Sequence, residues 1–427
     1  MHVTAGLRLV VPTAVTNGAV TMSAALGGVI VARVLGPAGR GTVAAIMAWF
    51  VVVQVVGEGG VQGATAFYAA RIDTDKRALI GKTARLLVGQ ALVVAPVSVC
   101  IAWALGLPPE FTRGFTLVVV GLIPVLWLSA PLFALQGIRI AVWNKTRMTQ
   151  PPAYLTALSI LWLTGRLSAL TAVAAVLASN LVAGTVAAMA ARTLVSAVPT
   201  GRRRISTKRV YQFALPNLAW SLPTIISGRL DVLSLSVLAS ASDLGQYAVA
   251  LSLMSLTVPI VSSIGNVLMP LLSRRSSEGQ PLGEIGRTAI ACAAAGAFVV
   301  TGCLGLAAPW IVPVLFGVSY GDAPRLTWLL APATVLYATK WVAADVLRGL
   351  GEPAVPARAE WMALAVNLVV VPCAAVSFGG AGAALAQSAG FAVALLVILR
   401  GLASAPLEHK GRLDEVPGAE LQHPFEA

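Results

Sequence analysis

Charge is what this chain has least of. Asp, Glu, Lys and Arg make up only 11% of its 427 residues, against about 25% in a soluble domain. Histidine is nearly absent: His2, His409 and His423 are the full set, all near the two ends. The four cysteines, Cys100, Cys292, Cys303 and Cys373, form no CxxC pair and no Cys/His spacing of the kind that holds zinc. They read as small buried apolar residues, and neither a metal nor another cofactor is expected. Long polar segments are missing between the apolar ones, which argues against a membrane enzyme that works through a large outer loop. What remains is overwhelmingly apolar: 57% hydrophobic residues and a mean hydropathy of +0.84. A water-soluble protein of this size could not hide that much apolar surface, so the bilayer must be its solvent. The net charge of +13 would suggest nucleic acid in a soluble chain. Here the arginines sit between apolar runs and point to anionic lipid head groups and membrane orientation, with no nucleic acid.

A hydrocarbon core of about 30 Å takes roughly 20 residues of helix. By that measure twelve spans are predicted, near 9–33, 41–69, 84–107, 115–137, 149–165, 168–191, 209–239, 243–269, 288–315, 325–348, 358–378 and 380–401. Leu9–Ala32 is uncharged for longer than a signal peptide's apolar region and reads as the first span. The fifth is short and either crosses or re-enters. In the over-long ninth, Pro309 and Pro313 are expected to end the helix early. With the N-terminus cytoplasmic, the inner segments hold 23 Lys and Arg and the outer turns hold 5. That bias follows the positive-inside rule and would be scrambled by dropping any one span. Both termini are therefore expected on the cytoplasmic side of the cell membrane.

The two halves echo one another, a sign of internal duplication. Leu9-Val10-Val11-Pro12 resembles Phe213-Ala214-Leu215-Pro216, an offset of 204, and Leu135-Gln136-Gly137 resembles Leu347-Arg348-Gly349, an offset of 212. Between them, Leu35–Ala44 lines up with Ala241–Ala250 at an offset of 206. The expected architecture is an all-α integral membrane protein, with twelve transmembrane helices in two six-helix lobes related by a parallel pseudo-two-fold axis. The expected boundaries are an N-terminal lobe 1–195, a basic cytoplasmic linker 196–208, a C-terminal lobe 209–402 and a polar, disordered cytoplasmic tail 403–427. Arg202-Arg203-Arg204 in the linker is expected to contact anionic lipid.

Several short motifs fall in this frame. Ala32-Arg33-Val34-Leu35-Gly36-Pro37-Ala38-Gly39-Arg40-Gly41 forms a turn between two spans. Arg229-Leu230-Asp231 precedes Asp243-Leu244-Gly245-Gln246-Tyr247-Ala248-Val249-Ala250. Leu315-Phe316-Gly317, Leu347-Arg348-Gly349-Leu350-Gly351-Glu352-Pro353, Asn367 and Gly379-Gly380-Ala381-Gly382-Ala383-Ala384 follow in order. This set resembles bacterial polysaccharide flippases of the multidrug/oligosaccharidyl-lipid/polysaccharide exporter superfamily, across nearly the whole chain. It departs from their pattern at Ala241-Ser242, where a second Gly-Pro would be usual. The resemblance implies a V-shaped, two-lobed transporter that moves lipid-linked sugars by alternating access, with polysaccharide assembly proteins as further partners.

Ionisable groups deep in a span are costly and are the first candidates for function. Arg229 and Asp231 in the seventh span are two residues apart and point to opposite sides of a helix. Arg229 either binds the diphosphate of a polyprenyl-linked substrate or makes a structural ion pair. Lys340 in the tenth span either lines the cavity or snorkels. Asp345, on the same span, and Glu58, within Gly57-Glu58-Gly59-Gly60, are the candidates for coupling to a proton or sodium ion; the competing readings are an interfacial aspartate and a carboxylate that satisfies broken backbone. Arg33 and Arg40, rare positive charges on the outer side, either hold the turn or meet anionic head groups, and Arg33 joins the substrate-binding candidates.

The leading expectation is a flippase for a polyprenyl-diphosphate-linked oligosaccharide in cell-surface polysaccharide biosynthesis. A cation-coupled multidrug exporter or a peptidoglycan-precursor flippase of the same superfamily is the alternative, although the latter usually carries extra C-terminal spans. A membrane-embedded polymerase or glycosyltransferase ranks behind both.

Overall fold

Gly36 ends the first apolar span without a loop. Its backbone takes φ 66° and ψ −172°, a conformation essentially confined to glycine. Helix resumes at once with Pro37, whose missing N–H costs nothing in a first turn. The first helix, α1 (His2–Glu58), is thus two arms joined at a kink. The structure, a computed structural model, describes residues 2–197, 201–257, 283–350 and 352–404. The far end of the expected eighth span (258–269), the segment with Arg274 and Arg275, and the tail from 405 onward lie outside the described residues.

The second expected span is broken at Gly59-Gly60, where both glycines take positive φ, and α2 (Val61–Ala69) continues beyond the break. Next come α3 (Lys76–Ala104), α4 (Pro109–Ile138), α5 (Ile140–Arg147), α6 (Gln150–Leu163) and α7 (Ala169–Ala197). The second half contains α8 (Thr207–Ser227), α9 (Leu230–Leu238), α10 (Ala241–Met254), α11 (Gly283–Leu315), α12 (Ala323–Gly349) and α13 (Ala354–Ser404), the last folded into two arms at Gly379. Six of these helices are each long and apolar enough to cross a bilayer, and the bent pair α8–α9 makes a seventh. With the arms of α1 and α13 counted separately, the architecture is that of two six-helix lobes.

Three expectations about helix limits need correction. The loop expected before the fifth span is the short helix α5 (Ile140–Arg147), while the short fifth span itself is α6, whose 14 residues rise about 21 Å. The seventh is bent by 51° between α8 and α9, with Arg229 at the break. The ninth does not end at its prolines, because α11 runs through Pro309 and Pro313 to Leu315. A proline removes one intrahelical bond and bends a helix, which a well-packed membrane helix tolerates. The cysteines are also misplaced by the sequence reading, since all four are exposed. Lipid, unlike water, does not drive small apolar side chains inward.

Within the N-terminal lobe α4 packs against α2, α3 and α7, while α6 packs against α1 and α7; in the C-terminal lobe α12 lies between α11 and α13, and α13 covers α8 and α9. Lipid tails are as apolar as the helices, so close approach of small residues drives the packing. Gly114 leaves room for Ile46, Gly121 for Leu177 and Gly184 for Leu128.

The lobes meet mainly through α1 against α10 and α2 against α8. At the turn after Gly36 the approach is backbone to backbone. A Cβ on Gly41 would lie 1.8 Å from the Ala241 carbonyl oxygen, and one on Gly245 would lie 1.9 Å from that of Pro37. These contacts are symmetry mates: Gly41 and Gly245, like Pro37 and Ala241, are 204 residues apart. The offset of 206 expected for this stretch is therefore two residues out, and the true register matches that of Pro12 and Pro216.

On the face opposite that turn, the inter-lobe linker is tied to the α2–α3 loop. Arg203 donates its N–H to the Asp73 carbonyl and accepts from Asp75 N–H, each at 3.0 Å. Its guanidinium binds the Asp73 carboxylate at 2.8 Å and thereby holds that carboxyl below the usual aspartate range. Arg203 was expected to reach lipid; it is committed to protein instead.

Candidate functional site

The bend at Gly228-Arg229 places an arginine at the centre of the molecule. Arg229 caps the start of α9 with non-helical backbone, and its exposed side chain borders two adjoining cavities. No hydrogen-bond or ion-pair partner for its guanidinium occurs among the described residues.

The first cavity, about 340 Å³, lies between the lobes and is walled by α1, α6, α7, α9 and α10. Arg40 enters it from α1, donating through Nη2 to Ser252 Oγ of the other lobe at 2.9 Å, while its Nε is buried without a partner. Ser23, Gln150, Tyr154, Ser179 and Ser255 supply the other polar groups, and no carboxylate lines this space among the described residues. Two guanidiniums with no carboxylate beside them in the described lining, in a wall otherwise apolar or of neutral polar groups, form a chamber suited to an anion.

The second cavity, about 360 Å³, lies on the C-terminal side of Arg229. Tyr337, Trp341 and Phe391 form its aromatic wall, with Thr224, Thr334 and Gln387 as polar neighbours. Asp231 also borders it, but its carboxylate is spoken for: Tyr247 Oη donates to it at 2.6 Å and Val232 N–H at 2.7 Å. Arg229 and Asp231 therefore diverge, as two-residue spacing predicts, one into the cavity and one into the lobe.

The remaining candidates sit elsewhere. Lys340 lies behind the aromatic wall, where Nζ donates to both Glu360 carboxylate oxygens at 2.6 and 2.7 Å and stands 5.3 and 4.9 Å from the ring centres of Tyr337 and Phe391. It is only 1% exposed, so its place is beneath the cavity wall. Asp345 pairs with Arg348 at 2.7 Å near the end of α12. Glu58 accepts from Gln54 at 2.8 Å at the α1–α2 break, outside both cavities. Arg33 donates to the carbonyls of Leu315, at 2.7 Å, and Val314. It therefore caps the last turn of α11 rather than facing the cavities.

Comparison with known proteins bears on this arrangement. Residues 30–324 match a family model described as a polysaccharide biosynthesis protein. The chain belongs to that family. Over 166 residues, 38% of its length, this polysaccharide biosynthesis family member is 23% identical to the probable low-salt glycan biosynthesis flippase Agl15 of Haloferax volcanii. It spans about a third of that relative, 35%. An inward-facing multidrug resistance MATE family transporter of the MOP superfamily matches with a TM-score of 0.74 at 15% identity, covering 90% of this chain and 94% of the other. The lipid II flippase MurJ in an inward closed conformation matches at 0.69 and 12% identity, over 92% and 88%. At such identities the likeness is one of fold.

Arg40 of this family member stands outside the substrate-binding candidates read from the sequence, which give it only a turn-holding or head-group role. A second span beginning at residue 41 leaves Arg40 in the outer turn. The helix in fact resumes at Pro37, so Arg40 lies one turn inside it and reaches the inter-lobe cavity. The proline immediately after Gly36 was the signal for an earlier start.

Proposed function

We propose that this protein is a flippase that moves a polyprenyl-diphosphate-linked oligosaccharide across the cytoplasmic membrane by alternating exposure of the inter-lobe cavity. One observation carries the reading: Arg40 and Arg229 share a chamber that, among the described residues, no carboxylate lines. The diphosphate, the most expensive part of the substrate to bring into the bilayer, would sit between them. The adjoining wall of Tyr337, Trp341 and Phe391 offers flat apolar faces for sugar rings, with Thr334 and Gln387 for hydroxyls. The polyprenyl tail would remain in lipid, so no reaction is required of the protein and none is assigned to it. The family match and the glycan flippase among its relatives support the same direction. A multidrug exporter for cations is disfavoured, because the one carboxylate at the cavities, Asp231, is already hydrogen-bonded.

The test is translocation in proteoliposomes of a fluorescent oligosaccharide on a short polyprenyl diphosphate, read by its accessibility to an added glycosidase. Arg229→Ala and Arg40→Ala should each slow translocation at least tenfold, and Arg229→Lys should retain part of it. Full activity in Arg229→Ala would remove the diphosphate assignment. Export of a cationic dye without lipid translocation would replace the reading with the multidrug one.

A further inference from the structure

On the flank of the N-terminal lobe, α3, α4 and α7 enclose a groove of about 540 Å³ that is separate from the inter-lobe cavity. Arg77 and Arg85 reach it from the first part of α3, and Arg192 from the last turns of α7. All three are exposed, and none has a carboxylate partner among the described residues. The walls are otherwise apolar, with Ile80, Trp127 and Pro131 among them, and no carboxylate lines the groove among the described residues. Trp127 is 52% exposed. Arg77 and Arg85 stand on either side of Ile80 along α3, about 12 Å apart in helical rise, so the guanidiniums run beside an apolar wall and the surface is in two parts, one cationic and one hydrocarbon.

The internal repeat sharpens the point. The C-terminal lobe has an equivalent groove between α11, α12 and α13, about 290 Å³, and among the described residues Arg287 is the arginine in its lining. The slot is thus common to both lobes, while among the described residues the cluster of three arginines occurs in the N-terminal one.

We propose that the groove between α3, α4 and α7 is a binding site for one anionic phospholipid. Arg77, Arg85 and Arg192 hold its phosphate oxygens, which guanidinium groups match in charge and in planar geometry. Its acyl chains lie along Trp127 and Pro131. The assignment depends on the protein's place in a membrane, not on which substrate the inter-lobe cavity carries.

Trp127 supplies the readout. The full chain is reconstituted in phosphatidylcholine vesicles doped with increasing fractions of brominated phosphatidylglycerol or, separately, brominated phosphatidylcholine. Tryptophan quenching is recorded, and the Trp127 contribution is the difference between wild type and Trp127→Phe. Half-quenching is expected at a mole fraction of the anionic lipid at least tenfold below that of the zwitterionic one. The combined Arg77→Gln, Arg85→Gln and Arg192→Gln variant should quench equally with both lipids, a result that also shows the groove still formed. The corresponding triple Lys variant should keep the preference, and Arg287→Gln should leave it unchanged. Should the triple Gln variant fail to fold, the single variants serve, each expected to weaken the preference about fivefold. Equal quenching by the two lipids in wild type, or a preference that survives loss of the arginines, would overturn the proposal.

Discussion

Buried lysine is tolerated only when its charge is answered, and Lys340 is answered twice over, by both oxygens of Glu360. Whether such a residue serves transport or architecture can be decided by breaking the pair in two ways. Removing one partner leaves a buried, uncompensated charge, a loss of about 3–5 kcal/mol, while replacing both with apolar groups of similar volume is often close to neutral. Lys340→Met should therefore lower the melting temperature of the detergent-solubilised protein far more than the double variant Lys340→Met/Glu360→Met. If single and double variants melt alike, the pair is not what holds Lys340 in place. Arg229 presents the opposite case: exposed to the cavity and without a partner among the described residues, it is better supplied for binding than for support. Sequence placed both residues inside spans. It could not distinguish them, because Glu360 is 20 residues from Lys340 and on another helix.

At the level of elements, the turn after Gly36 and the start of α10 form a contact that only glycine permits. Gly245→Ala would drive a methyl group into the Pro37 carbonyl, and because the obstruction is backbone, neither side can yield cheaply. The lobes should then be unable to meet at that end. A thiol introduced as Ser252→Cys, at the cavity, should react faster with a membrane-impermeant reagent from the outer side in Gly245→Ala than in Gly245. Unchanged labelling would mean that the close contact does not seal that end.

The linker clasp makes a separate prediction. Asp73 is held below its ordinary titration range by Arg203, so its contribution is complete above the unfolded aspartate pKa of about 4 and fades as pH falls through the lower folded value. The pair is about half exposed, which limits its worth to roughly 0.2–1 kcal/mol. Asp73→Asn should weaken hydrogen-exchange protection of Arg203 N–H by about two- to fivefold at pH 7, and wild type should approach the variant only in strong acid. Equal protection at pH 7 would show that the backbone bonds alone hold the linker.

Over the whole molecule, the bias of lysine and arginine sets a topology that can be checked directly. A fluorescent protein fused after Ser404 should fold and fluoresce, and alkaline phosphatase at the same point should be inactive, because that end is expected in the cytoplasm. The reverse pattern would invert the sidedness assumed for both lobes. Alternating exposure further requires that the Gly41–Gly245 contact separate during the cycle, which ties the fate of one close-packed point to the movement of two lobes.

Sequence alone determined the solvent, the fold class, the two-lobe repeat and the presence of an arginine and an aspartate deep in the seventh span. These follow from length, apolarity and charge distribution, which are additive along a chain and therefore readable without coordinates. Tertiary structure alone decided the rest: the bend that frees Arg229, the reach of Arg40 into the cavity, the pairing of Lys340 with Glu360 and the 204-residue register of the two turns. In a membrane the outside of a helix is as apolar as its packed side, so hydropathy cannot say which face is buried. That choice is made by small-residue packing and by polar partners on other helices, and it exists only once the helices have met.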